Sequence, residues 1–395
     1  MKNLFKSLAY IILLSISATF VACTSATATM WTAATFANGK VRGFNQPDDA
    51  GLVSYQEAAA YGANFLRFFI DNVTGGLSNN GSQFRIGNGA YGTFDFTALD
   101  TSVANAHASG LKLIFVVDDH SMMSNSSLQN SFIAMWQAIA THWVGSTTIA
   151  GYDLWNEPHG TGASQAAWIT LSQQTTSAIR AIDPNHVIIW EPFEWGLPYG
   201  FDGMTTMPLA AYNNIVYSYH AYDPHLFTAQ GVVQGPYGVV QGPYGVIYPN
   251  TSLSCFSGGT PLNWNVNKVG PHGLNCDGSG RQSILDLQSQ YHFPILIGEF
   301  SAFTAAPTNN NGVPSATQRV SDSIAYFESK GFAWAYHSWH SWWGWDPDVD
   351  QSEALGLYDN GKFDGSFPVN RNTNSLTSHV LLTCLSHISH ATGNL

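Results

Sequence analysis

Apolar positions along the chain fall into two alternating rhythms. Short, near-continuously apolar runs bounded by turn residues predict strands. They are VRGFNQ (41–46), FLRFFID (65–71), KLIFVVDDH (112–120), IAGYDLWNEP (149–158), VIIWEPF (187–193), IVYSYHAYD (215–223), PILIGEF (294–300) and FAWAYHSWH (332–340). Between them, segments such as 54–62, 96–110, 131–143, 164–182 and 315–331 carry the 3.6-residue period of amphipathic helices. On these helices Trp136, Trp143 and Trp168 read as core residues.

Strands that alternate with helices pair in parallel, because each return needs a crossover. Runs that are apolar throughout fit strands buried on both faces. Eight such units predict an α/β fold, a closed (β/α)8 TIM barrel with extended βα loops. The rival is an open doubly wound sheet, which usually carries a Gly-rich phosphate turn after its first strand; GFNQPDDAG at 43–51 holds none.

The barrel is expected over 31–365. It includes an insertion at 225–280 in which VVQGPYG occurs twice, at 232–238 and 239–245. Two copies of seven residues are too few and too short for a solenoid, so they read as a duplicated turn segment, with a cleft-lining role as the alternative. A second insertion, 72–93, is rich in Gly and Asn, and 366–395 is either the last helix or a tail. Residues 1–28 have the pattern of a secretory signal: Lys2 and Lys6 precede an apolar run from Leu8 to Val21, too short for a comfortable membrane span. Cleavage after Ala28 would release a soluble protein; cleavage before Cys23 would leave a lipid anchor there. Either exit places the protein outside the cytoplasm, secreted or at the cell surface or periplasm, with no membrane span.

Export changes the reading of the cysteines. Cys255 and Cys276 are expected to pair and close a Gly-rich loop, leaving Cys384 over. No cysteine pair has metal-site spacing, so no metal and no cofactor is expected. Charged residues make up only 10% of the chain and aromatics 13%, with a formal net charge of −12. That balance excludes nucleic acid as a partner, since phosphate binding needs a basic face. A neutral polysaccharide fits, because aromatic rings cover sugar C–H faces while Ser, Thr, Asn and Gln bond hydroxyls. The chain is taken as a monomer.

The predicted strands finish on polar residues: Arg67, His120, Asn156 with Glu157, His220 with Tyr222, and Glu299. In a barrel all these ends open onto one face. Two carboxylates there, Glu157 after the fourth strand and Glu299 at the end of the seventh, are the pair that glycosidic-bond cleavage needs. One protonates the leaving oxygen, and the other attacks the anomeric carbon or activates water.

LWNEP ending a fourth strand and IGEF ending a seventh resemble glycoside hydrolase family 5 of clan A. Arg67 in LRFF, His120 in VVDDH, and His220 and Tyr222 in HAYDP match further elements of that pattern in order, and the likeness spans about residues 38–360. The resemblance implies a retaining double displacement, with Glu157 as general acid/base and Glu299 as nucleophile. Arg67 and Tyr222 would then serve Glu299, Asn156 would bond the sugar 2-hydroxyl, and His120 and His220 would position the sugar and the acid/base residue. Retention implies carboxyl groups ~5–5.5 Å apart.

One position departs from the pattern. The family usually places a Trp platform at the end of the eighth strand, where alignment of WAYHSWHSWWGW puts His337. Among the rings that follow (Trp339, Trp342, Trp343 and Trp345), Trp342 is expected to form the sugar-stacking floor, with His337 and Trp339 also at the substrate. Glu191 and Glu194 in WEPFEW compete as strand-end carboxylates and read as cleft-wall residues. Asp118 and Asp119 point to opposite faces of a strand and would not share an ion. The sequence therefore predicts a secreted endo-acting β-glycosidase, a β-1,4-glucanase first. The alternatives are a β-mannanase or other β-glucanase and, in another class, a catalytically silent carbohydrate-binding barrel.

Overall fold

The computed structural model describes residues 29–46, 51–72, 96–118, 126–160, 164–222, 225–230, 244–248, 284–340 and 344–349, with 358–359, 362–363 and 381. The signal region, all but the first residue of the 72–93 insertion, most of the 225–280 insertion with the first copy of the repeat, nearly all of 366–395, the three cysteines beyond the signal, Asp119, His120, Trp342 and Trp343 lie outside these residues.

Eight parallel strands close into a barrel in sequence order: β1 (Arg42–Gln46), β2 (Phe65–Asn72), β3 (Lys112–Asp118), β4 (Ile149–Asp153), β5 (Val187–Trp190), β6 (Ile215–His220), β7 (Ile295–Phe300) and β8 (Ala333–Tyr336). β1 pairs with both β2 and β8, which seals the cylinder. The crossover helices are α1 (Gly51–Ala60), α2 (Thr97–Ala108), α3 (Ser126–Trp143), α4 (Gln165–Arg180), the single turn α5 (His225–Thr228), α6 (Ile284–Tyr291) and α7 (Ser315–Ser329). Among the described residues no helix is long and apolar enough to cross a membrane.

Side-chain alternation along the strands builds two cores. One set (Phe44, Leu66, Phe68, Leu113, Phe115, Tyr152, Ile188, Trp190, Tyr217, Ile297) packs outward with the helices, where Trp136, Trp143 and Trp168 are also buried. A second cluster fills the lower barrel: Val41, Phe65, Ile114, Val187, Ile189, Val216, Leu296, Ala333 and Ala335. A 3-10 helix, Ala33–Asn38, adds Phe36 to this cluster. Two residues further along the same inward parity, the apolar layer gives way to a polar one: Phe65 leads to Arg67, Ile189 to Glu191.

Most strands end sooner than the apolar pattern suggests. β4 stops at Asp153 rather than 158, and β8 at Tyr336 rather than 340. At the barrel mouth the side chains remain apolar or aromatic, but the backbone leaves the ladder to turn polar groups into the bowl. α3 begins at Ser126, ahead of the expected 131, because its polar first turn (SSLQN) shows no apolar period.

Candidate active site

Arg67 is the hub of the polar layer. It is fully buried and uses all five of its N–H donors. Nε donates to Asp153 Oδ2 (2.8 Å); Nη1 to Asn45 Oδ1 (3.0 Å) and Glu299 Oε1 (2.9 Å); Nη2 to Asn156 Oδ1 (2.9 Å) and Glu191 Oε1 (2.7 Å). Asn45 in turn donates to the main-chain oxygens of Gly298 (2.7 Å) and Ala335 (3.3 Å), so the guanidinium is tied to the seam where β1, β7 and β8 meet. Burial alone would lower the pKa of Arg67; Asp153, Glu191 and Glu299 outweigh it and hold the cation charged.

Glu299 stands opposite His220 in the β6–β7 register. Its Oε1 accepts from Arg67, and its Oε2 accepts from the Tyr222 hydroxyl at 2.7 Å. His337 Nδ1 lies 3.3 Å from Oε2 but is too poorly aligned to donate, and that nitrogen has no hydrogen-bond partner. Burial would raise the Glu299 pKa; His220, His337, Arg67 and the Tyr222 hydroxyl outweigh it and hold the carboxyl at about 2. Burial lowers the pKa of His337 itself, whereas Glu191, Glu299 and Glu157 outweigh burial at His220 and raise its pKa well above the free value, so His220 and Arg67 are the charges that hold Glu299 ionised.

Glu157 follows β4 in a left-handed conformation, φ +50°, which a non-glycine residue adopts only when its surroundings hold it there. Its main-chain N–H donates to Glu191 Oε2 at 2.9 Å. Its Oε1 lies 2.8 Å from His220 Nδ1, and its side chain is 26% exposed, facing the bowl. Burial raises its pKa, and the charges of Glu299 and Asp118 add to the rise, while His220 works against it. The two carboxyls are thus pushed apart, one kept ionised and the other kept able to hold a proton.

The separation between them is short. One carboxylate oxygen of Glu157, one of Glu299 and a ring nitrogen of His220 lie within 4.8 Å of one another. So close an approach of the nearest oxygens is compatible with the ~5–5.5 Å carboxyl separation that direct attack on a sugar needs. The same three atoms are near enough to surround a cation, but His220 is already bonded to Glu157, and Glu299 to Arg67 and Tyr222.

A model of the cellulase domain, glycosyl hydrolase family 5, matches residues 52–342. The chain belongs to this family. Endoglucanase 3 of Fibrobacter succinogenes is 30% identical over 128 residues, 30% of this chain and 19% of that protein. Mannan endo-1,4-beta-mannosidase A of Podospora anserina is 28% identical over 152 residues, 33% of this chain and 38% of that protein. The matched stretches therefore span well under half the length of these relatives. Among solved structures, Thermotoga maritima Cel5A in complex with mannotriose superposes with a TM-score of 0.62 at 19% identity, covering 88% of this chain and 98% of that one. The cellulose synthase subunit Z of Clostridioides difficile gives 0.59 at 18% identity, covering 87% and 98%. At these identities the superpositions show the (β/α)8 barrel fold alone.

The structure brings Arg67, Asn156, Glu157, His220, Tyr222, Glu299 and His337 into one bowl. It does not bring Trp339 there. That ring is 1% exposed, packs on Phe44 at 4.6 Å and donates its N–H to Ser54, so it is a core residue and not a sugar-facing one. Among the described residues of this Trp-rich run, Trp345 is the ring beside the site. It is half-buried, 6.2 Å from the Tyr222 ring and 5.4 Å from that of His337. Glu191 is likewise not a cleft-wall residue. It is fully buried beneath the floor, where Arg67, His220 and the Glu157 main chain supply the hydrogen bonds that its burial demands. Asp153 and Asn45, absent from the sequence reading, complete the Arg67 shell. The signal for all three was a polar side chain set inside an otherwise apolar strand or at its end.

Proposed function

We propose that the protein is a retaining endo-β-glycosidase whose first substrate is a β-1,4-glucan, with Glu299 as nucleophile and Glu157 as general acid/base. The observation that carries this reading is the approach of the two carboxylates within 4.8 Å, with opposite pKa shifts. Glu299 attacks the anomeric carbon as the Glu157 proton passes to the glycosidic oxygen, giving a glycosyl ester and a free leaving sugar. Esterification removes the Glu299 charge that helped keep Glu157 protonated. Glu157 then takes a proton from water, which attacks the ester and releases Glu299. Asn156, held by Arg67 and by its own bond to Asp118 Oδ1 (3.3 Å), would meet the 2-hydroxyl. Among the described rings, Trp345, beside Tyr222 and His337, is placed to floor a sugar.

Reducing-sugar release from carboxymethylcellulose, mannan and lichenan tests the substrate. Fastest release from the glucans is expected. Faster release from mannan would favour the mannosidase reading suggested by the Podospora relative, and no release from any would favour a binding barrel.

Loss of activity at high pH should follow deprotonation of Glu157. Asp118→Asn removes a negative charge that holds this pKa up, so the basic limb of kcat/KM should move to lower pH. An unmoved or upward-shifted limb would separate that limb from Glu157.

The leaving sugar must lie on the Glu157 side of the cleft. There Trp195 is 46% exposed, stacked on His159 at 4.7 Å, with its main-chain N–H on Pro158 O at 3.2 Å. Trp195→Ala should cost about tenfold in kcat/KM on long oligosaccharides and little on aryl cellobiosides, whose short leaving group does not extend along the cleft. Equal losses on both would place the ring elsewhere in the reaction.

A further inference from the structure

Three donors converge on one buried carboxyl that no step above uses. Glu191 Oε1 receives Arg67 Nη2 at 2.7 Å and His220 Nε2 at 3.1 Å, and Glu191 Oε2 receives the Glu157 main-chain N–H at 2.9 Å. Arg67 and the main chain can only donate, so Glu191 is an acceptor throughout, and His220 must present Nε2–H to it. The other ring nitrogen, Nδ1, faces Glu157 Oε1 at 2.8 Å. One imidazole is thus hydrogen-bonded between two carboxyls, with Glu299 Oε2 beyond bonding distance at 3.8 Å from Nδ1, and its roles are assigned by geometry.

The surroundings are shaped to keep that contact. A side chain on Gly196 (φ +64°) would place its Cβ 2.7 Å from Glu191 Oε2, and one on Gly298 would approach the His220 ring at 3.1 Å. His220 N donates to Gly196 O at 2.9 Å, and Trp168 Nε1 donates to Glu191 O at 2.8 Å.

We propose that Glu191 is a positioning residue for the acid/base step: it fixes the His220 tautomer so that Nδ1 is the nitrogen exchanging a proton with Glu157, and it holds the Glu157 main chain in place. The proton moves between Glu157 Oε1 and His220 Nδ1, and Nε2–H stays on Glu191, so no proton is gained or lost within the pair. A glutamine at 191 cannot serve all three donors. Its amide would set N–H against Arg67 and His220, or against the Glu157 N–H, and would either reverse the tautomer or displace the acid. The inference rests on Glu157 being the acid/base residue.

The test compares aryl β-cellobiosides with a poor leaving group (phenyl) and a good one (2,4-dinitrophenyl), whose departure needs no proton. Glu191→Gln should lower kcat/KM about 100-fold or more on the first and only a few-fold on the second. Asp153→Asn touches Arg67 but not His220 and should show no such dependence. Equal losses on both substrates in Glu191→Gln, or the same pattern in Asp153→Asn, would overturn the proposal by reducing Glu191 to a support for Arg67. Glu157→Gln must itself show the leaving-group dependence; if it does not, the acid/base assignment fails rather than the role of Glu191. Nitrogen-15 histidine NMR on the wild-type protein gives a readout independent of the variants. Nε2 of His220 should stay protonated while Nδ1 titrates with the basic limb, and the reverse order would contradict the proposal.

Discussion

Glu299→Gln is expected to lower turnover of a β-1,4-glucan by about 10⁴- to 10⁶-fold, the scale of losing a covalent nucleophile. The substitution keeps shape and most hydrogen bonds. The amide oxygen still accepts from Arg67 Nη1, and the amide nitrogen can donate to the Tyr222 oxygen, so the bowl should remain assembled. What disappears is a charge held ionised down to about 2 by its cationic neighbours and the Tyr222 hydroxyl. Binding of a cello-oligosaccharide, measured by calorimetry, should survive within several-fold while the chemical step does not. Near-wild-type rates would remove Glu299 from the nucleophile role.

Arg67→Ala is expected to be the most destabilising single change in the barrel. It leaves Asp153, Glu191 and Glu299 buried around an empty centre, and breaking a buried ion pair by removing one partner typically costs about 3–5 kcal/mol. Here three carboxyls lose their partner together. Arg67→Lys should recover only part of the loss, because one ammonium with three donors cannot reach five acceptors spread over β1, β4, β7 and the segments just after β4 and β5. The pH dependence has a definite sign. In the wild type, Glu299 has a depressed pKa, so its contribution to stability is present above its unfolded value near 4.5 and fades as pH falls towards 2. Without Arg67, the pKa of Asp153, which burial already holds above its usual value, would rise further, and that of Glu299 would lose part of its depression. Asp153 would then disfavour the folded state more as pH rises, and Glu299 would add less to it. The deficit of Arg67→Ala, measured by denaturant unfolding, should therefore be smaller at pH 4 than at pH 8. A deficit independent of pH would mean that Arg67 stabilises by packing and not by charge.

The barrel was legible because eight apolar runs and their intervening helical periods leave few topologies open. The mouth of the bowl was legible because Arg67, Asn156, Glu157, His220 and Glu299 interrupt or follow apolar runs at strand ends, where a barrel opens to solvent. The floor was harder to read. Asp153 and Glu191 were visible as charges within apolar surroundings, yet nothing local shows that both answer to Arg67, since β2, β4 and β5 meet only once the cylinder closes. A charge in an apolar strand must find a partner, and in a chain with only 10% charged residues the few cations are quickly counted. Trp339 was misplaced for a different reason. The density of Trp after β8 marks the region, but which ring is covered depends on the path of the loop. Trp339 turns back under Phe44 and Tyr61, while Trp345 reaches Tyr222 and His337.

The double displacement between Glu157 and Glu299 is tested most directly by the stereochemistry of the first product. Proton NMR in the opening minutes of cello-oligosaccharide hydrolysis, before mutarotation, should show the β-anomer at the newly formed reducing end, as two successive inversions require. Initial appearance of the α-anomer would mean a single displacement by water and would contradict an ester on Glu299.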